Sequence, residues 1–216
     1  MAMGPSPTSA HLTRPAPAVI ASRLTTGERF ATVYDGHVGE ATAEFAMRTM
    51  PACLESEGVG GATDVPAALT RALTACHERC LREVQDGSGS TATVAVVGSG
   101  KLHVAIVGNC RAVLCSGGTA DVLTKDKKPE LLHRGLINEE EQPKPLTVER
   151  TLSADDAFVI IASDGVWSAQ GGFKGAQGNQ KVAAVLDLTS QPPSSREALD
   201  LTRLELDSDS LDWTPL

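Results

Sequence analysis

The sequence has no excess of positive charge, no paired-cysteine spacing and no long apolar run, and each lack removes a class of function. Its 19 Lys and Arg against 27 Asp and Glu leave a net charge of −8 over 216 residues. A general binder of nucleic acid or anionic membrane needs a basic surface to displace counterions, so neither partner is expected. Five cysteines, Cys53, Cys76, Cys80, Cys110 and Cys115, form an odd set without CxxC or disulfide-framework spacing. That suits reduced thiols in a cytosol-like compartment and implies no zinc site. No apolar run approaches the roughly 20 residues needed to cross a bilayer, and the amino end lacks the basic-then-apolar layout of a secretory signal. The expectation is a cytoplasmic monomer. Residues 1–20 also lack acidic groups, which leaves an organelle-targeting reading open.

What is present is enough for one core at a length prior of about 150 residues per domain. Residues 1–21, with Pro5, Pro7, Pro15 and Pro17, read as a flexible Pro-rich arm, and residues 22–216 as a single domain. A helix is predicted from Glu40 to about Leu54, with Ala43, Phe45, Ala46, Met50 and Leu54 near helical spacing. A second, capped by Asp64, carries Val65, Ala68, Leu69, Ala72, Leu73, Cys76, Cys80 and Val84 on one face. Cys76 and Cys80 are then core residues. After Gly87-Ser88-Gly89-Ser90 the period changes. Thr91–Val97, Leu102–Val107, Ala112–Cys115 and Ala120–Leu123 read as consecutive antiparallel strands. This order is α+β, with no parallel nucleotide-binding sheet. Gly98-Ser99-Gly100-Lys101 is a hairpin rather than a phosphate loop, since Ala95 and Leu102 occupy places where a Walker motif needs Gly and Ser or Thr. Residues 125–144 read as a solvated loop, 170–178 as mobile, and 195–206 as a loosely periodic helix.

Two segments repeat one device. Phe30–Tyr34 runs into Asp35-Gly36-His37, and Phe158–Ala162 runs through Ser163 into Asp164-Gly165. Each apolar strand delivers a carboxylate at its end, and two such carboxylates can hold a metal between them. Ordinary Asp-Gly turns are the alternative.

Three ordered segments decide between these readings. Phe30–Glu40, FATVYDGHVGE, resembles the strand-plus-Asp-Gly-His-Gly-Gly signature of the type-2C, metal-dependent (PPM-type) serine/threonine protein phosphatases, with Val38 in place of the first trailing glycine. Gly89-Ser90-Thr91-Ala92, Gly108-Asn109-Cys110-Arg111 and Leu123–Pro129 are similar to that family's Gly-Ser-Thr-Ala, Gly-Asp-Ser-Arg and Leu-Thr-x-Asp-His-Lys-Pro stretches. Phe158–Trp167, FVIIASDGVW, resembles its Ser-Asp-Gly-x-Trp strand. The resemblance implies two antiparallel β-sheets forming a sandwich flanked by helices, with two Mg²⁺ or Mn²⁺ ions at one end. It implies Asp35 as bridging ligand, the Gly36 carbonyl as a further one, Asp164 as a ligand from the opposite sheet, and His37 as proton donor to the departing oxygen. The reaction implied is hydrolysis of phosphoserine or phosphothreonine in a phosphoprotein by a metal-activated water.

The chain departs from the family pattern in several places. The family's upstream Arg and Met-Glu-Asp have no counterpart, since no acidic residue precedes Glu28. Asn109-Cys110 replaces an Asp-Ser pair, which is expected to loosen the surroundings of the metal ligands. A block expected between Pro129 and Thr147 is missing, and Ser168 follows the Trp where an acidic residue is common. At the carboxyl end Asp212 is the candidate for the last metal ligand, in a one-residue slip of the Asp-Asn-x-Thr pattern. Three readings follow: a divergent working phosphatase, an inactive phosphatase-like binding module, or a fragment of a longer phosphatase.

Overall fold

The computed structural model describes residues 18–124 and 145–167, and the backbone of 201–205 and 214–215. Among the described residues the strands form two five-stranded antiparallel sheets and a two-stranded ribbon. The first holds β1 (Ala18–Arg23), β2 (Arg29–Tyr34), β5 (Ala92–Gly98), β6 (Lys101–Val107) and β9 (Leu146–Thr151), in that order across the sheet. The second runs β12 (Thr214–Pro215), β11 (Leu201–Glu205), β10 (Asp156–Ala162), β7 (Arg111–Ser116) and β8 (Thr119–Val122). A short ribbon pairs β3 (Gly36–His37) with β4 (Gly89–Ser90). This is the α+β sandwich that the sequence predicts.

Apolar residues on both faces of the central strands explain their near-continuous hydrophobic runs. Ala31, Val33, Ala95, Leu102 and Val104 of the first sheet meet Ala112, Leu114, Val159 and Ile161 of the second in the buried inter-sheet layer. The opposite face of the first sheet presents Phe30, Tyr34, Val94, Val96 and Ala105 to the helices α1 (Ala41–Ser56) and α2 (Val65–Glu83). Fully burying one such side chain stabilises by about 1.5–3 kcal/mol. The Asp64 side chain caps α2 by accepting from the Ala67 amide at 3.0 Å, as predicted, and Cys76 and Cys80 lie on its buried face. On the outer face of the second sheet, Phe158, Ile160 and Val113 pack with Val166 and Trp167 of a single helical turn, α3 (Asp164–Trp167).

Several expectations are corrected. The arm does not extend to residue 21, because β1 pairs with β2 from Ala18 onward. Its half-buried Ala18 and Ile20 contribute to the helix-facing core, an apolar face that Pro-rich composition upstream concealed. Residues 201–205 form a strand against β10 rather than a helix, their β-sheet partner overriding a weak helical period. The meander is broken: β6 and β7 are consecutive but belong to different sheets, so Gly108–Cys110 is a crossover and not a hairpin. The hairpin at Ser99 and Gly100 is as predicted, with φ of 50° and 71° between the paired Gly98 and Lys101. The predictions for 125–144, for 170–178 and for most of 195–206 lie outside the described residues.

Candidate active site

β2 and β10 end at the same edge of the sandwich, and each delivers its aspartate there. Asp35 is 2% exposed. Its amide donates to Thr91 Oγ1 at 3.0 Å, and its carbonyl accepts from the Thr91 amide at 3.0 Å and from Ser90 Oγ at 3.3 Å. The backbone of Asp35 is thus clamped by the Gly89–Ala92 motif on the neighbouring strand. That role for Ser90 and Thr91 was not assigned from sequence, although the motif itself was visible. Gly108 explains part of the packing: at φ 101° it lies where a Cβ would come within 2.7 Å of Thr91 Cγ2. Only glycine allows both that conformation and that approach.

Beyond Asp35 the chain turns sharply. A Cβ at Gly36 would lie 2.7 Å from the Gly39 carbonyl, so the tight turn requires glycine there. Val38 holds φ 67° with its side chain 95% exposed, an unusual state for a β-branched residue. His37 is half-buried, and its Nε2 has no hydrogen-bond partner among the described residues.

Asp164 enters from the second sheet at the first position of α3. The Val166 amide returns to the Ser163 carbonyl at 3.2 Å, and Trp167 Nε1 donates to the Ala162 carbonyl at 3.0 Å, which fixes the turn. The Arg111 guanidinium lies 5.2 Å from the centre of the Trp167 ring and braces it further. Asn109 Nδ2 donates to Asp164 Oδ2 at 2.9 Å. The expectation that Asn109 loosens the site is therefore corrected: at the crossover between sheets, its amide grips the carboxylate. Cys110, next to it, is fully buried with Sγ 3.0 Å from Thr91 Oγ1. Burial, reinforced by the charges of Asp35 and Asp164, pushes its thiol up to about 12. Thr91, bonded to both the Asp35 backbone and Cys110 Sγ, and Asn109, bonded to Asp164, tie the two predicted aspartates to the same crossover. At neutral pH that thiol is protonated and serves as filler, not as nucleophile.

Among the described residues no three His, Cys, Asp or Glu side chains form a set able to hold a metal ion. Asp212 lies outside them. A buried Asp35 and a half-buried Asp164 with a hydrogen-bonded outer partner nevertheless suit a hard divalent cation, since oxygen donors match it and partly desolvated negative charge favours its entry.

The sequence profile described as Protein phosphatase 2C matches residues 11–133, more than half of the chain. The chain belongs to the protein phosphatase 2C family. It is 39% identical over 99 residues to "Probable protein phosphatase 2C 2" of Arabidopsis thaliana, covering 45% of this chain and 26% of that protein. It is 32% identical over 194 residues to "Probable protein phosphatase 2C 8" of Oryza sativa subsp. japonica, covering 65% of this chain and 48% of that protein. The chain therefore spans from about a quarter to about a half of the length of these protein phosphatase 2C relatives. Among solved structures, the S. agalactiae serine/threonine phosphatase shares the fold with a TM-score of 0.59 at 19% identity, covering 81% of each chain. The catalytic domain of the serine/threonine protein phosphatase PstP, solved in complex with two manganese ions, does so with a TM-score of 0.52 at 19% identity, covering 79% of this chain and 89% of that one. No helix among the described residues is long and apolar enough to cross a membrane.

Proposed function

We propose that this chain is a metal-dependent phosphoserine/phosphothreonine protein phosphatase, folded as one domain and acting on phosphoproteins as a monomer. The observation that carries the reading is that the crossover at Asn109-Cys110 is bonded to Asp164 directly and to Asp35 through Thr91, linking aspartates from different sheets within a chain of this family. Asp35, the Gly36 carbonyl and Asp164 would hold Mg²⁺ or Mn²⁺, the latter being the ion bound by the PstP catalytic domain. When bound, such an ion neutralises phosphoryl oxygens and lowers the pKa of a water for in-line attack. The chain's own residues do the rest. Thr91 and Ser90 fix the backbone of Asp35, Asn109 aims the Asp164 carboxylate, and His37 Nε2 supplies a proton to the departing seryl or threonyl oxygen.

The second reading, an inactive phosphatase-like binding module, is favoured by the absence of a three-ligand metal set among the described residues. Hydrolysis of a phosphothreonine peptide with Mn²⁺, measured beside Asp35→Asn, separates the two. The phosphatase reading expects turnover that Asp35→Asn lowers by more than about 100-fold, beyond the usual cost of losing an outer partner. Metal-insensitive peptide binding without turnover would sink it.

A further inference from the structure

The segment that carries Gly36 and His37 is fastened at both ends. At the inner end the Asp35 carbonyl accepts from the Thr91 amide at 3.0 Å, and the ribbon then pairs Gly36 with Ser90 and His37 with Gly89. Each strand of that ribbon is two residues long, and an isolated two-stranded pair is marginal at best in water. Three polar side chains supply the outer fastening. Helix α1 has Glu40 at its N-cap, whose side chain makes no capping bond, so its first amides need acceptors from elsewhere. Ser88 Oγ, 46 residues from Thr42 in sequence, accepts from the Thr42 amide at 3.1 Å. The Thr42 hydroxyl donates to the Ser88 carbonyl at 2.9 Å, and its oxygen lies 2.8 Å from Ser88 Oγ. Asp86 holds Ser88 in turn: its Oδ1 accepts from the Ser88 amide at 2.9 Å and from the Ser88 hydroxyl at 2.6 Å.

This fastening reaches the site by direct packing. A Cβ at Gly39 would lie 3.3 Å from Ser88 Cβ and 3.5 Å from Asp86 Oδ2, so the Gly39 backbone rests on that pair. The Gly39 carbonyl in turn sits against Gly36, as the 2.7 Å approach to a Cβ there shows. Between the two glycines Val38 keeps its left-handed φ of 67°. Such a conformation is costly for a β-branched residue and persists only where its surroundings impose it.

We infer, resting on the phosphatase reading, that Asp86, Ser88 and Thr42 are positioning residues: they latch the segment before β4 to the start of α1 and thereby fix the Gly36 carbonyl and His37 for metal and substrate. None of the three touches the reacting atoms. They act through Gly39 and the ribbon, and the hold itself is measurable in the metal-free chain.

Amide hydrogen exchange of the metal-free chain, followed by Mn²⁺ titration, tests the latch in Thr42→Val and Thr42→Ser. The first keeps the side-chain shape and loses the hydroxyl; the second keeps the hydroxyl. Thr42→Val should speed exchange of the β3 and β4 amides about fivefold, the worth of one neutral hydrogen bond, with the β5 and β6 amides unchanged within about twofold, as a local opening requires. Mn²⁺ affinity should fall by about the same factor, and Thr42→Ser should restore both. Asp86→Ala, at an exposed position, should act in the same direction and takes the place of Thr42→Val if that variant fails to fold. If the natural chain takes up no Mn²⁺ and hydrolyses no phosphothreonine peptide, the phosphatase reading falls and the assignment with it. If the natural chain binds Mn²⁺, three results overturn the assignment alone: ribbon exchange or Mn²⁺ affinity unmoved in Thr42→Val and Asp86→Ala, exchange quickened equally in β5 and β6, or Thr42→Ser behaving as Thr42→Val.

Discussion

Both ends of the first sheet carry acidic residues and a histidine, and the two ends differ in how the charges are kept. At the end away from the site, Lys101 Nζ lies 2.6 Å from Glu149 Oε1, and His103 Nδ1 lies 3.5 Å from Glu149 Oε2. Lys101 and Glu149 remain about two-fifths exposed, with side chains at 43% and 40%. Glu28 accepts from the Gly61 amide at 3.1 Å and packs against Gly60 and Gly98. At the other end Asp35 is sealed, and both site carboxylates bear on a buried thiol. Lys101 and Glu149 are hydrated and matched, while His103 Nδ1 and Glu28 Oε2 beside them are buried without a hydrogen-bond partner among the described residues. A sealed Asp35 and a half-buried Asp164 gathered from two sheets create a demand that a cation can meet. Residue type alone does not separate the two ends; the meeting of carboxylates from two different sheets does.

The comparison can be broken in order of expected effect. Asn109→Ala should lower Mn²⁺ affinity by about 10–100-fold, the usual cost of losing a partner behind a metal ligand. Isothermal titration reads it, and an unchanged affinity would show that the Asn109–Asp164 bond does not serve the ion. Val38→Gly should raise the melting temperature by about 2–8 °C, because the left-handed conformation costs a side-chain-bearing residue about 1–2 kcal/mol and the exposed valine buries little in return. A fall in the melting temperature would mean that the valine side chain supports the turn.

The smallest effect belongs to the far end. Burial holds the His103 imidazole below its ordinary value, with Glu149 opposing and Lys101 adding to the shift. The folded chain favours the neutral ring, so as pH falls the unfolded chain takes up the proton first. This contribution to stability is complete above the unfolded pKa of about 6.5 and is lost as pH drops through the lower folded value. His103→Gln should therefore flatten, in part, the decline of melting temperature between about pH 7 and pH 5; His77, also lowered by burial, keeps the remainder. An unaltered slope would place the titration elsewhere.

Strands ending in Asp35 and Asp164, the helix capped by Asp64 and the hairpin at Ser99-Gly100 were legible because each rests on local pattern and turn chemistry. What pattern could not show was placement. The same apolar alternation describes β6 and β7 whether they pair or part, so the change of sheet at Gly108–Cys110 was invisible. Its consequence, Asn109 reaching Asp164, was therefore read as a loss. β1 was hidden by the prolines before it, and β11 by a leucine spacing that suits a helix as well as a strand. Ser90 and Thr91 belonged to a visible motif, yet their hold on Asp35 needs the register of β5 against β2.

The crossover at Gly108–Cys110 also bears on how the chain reaches its native state. Because β2 and β10 belong to different sheets and are distant in sequence, neither sheet alone contains the pair Asp35 and Asp164. The pair comes into being only when the sheets dock, a non-local event of the kind that slows folding. An ion held by both aspartates would then act as a late clasp, slowing escape from the native state more than it hastens arrival.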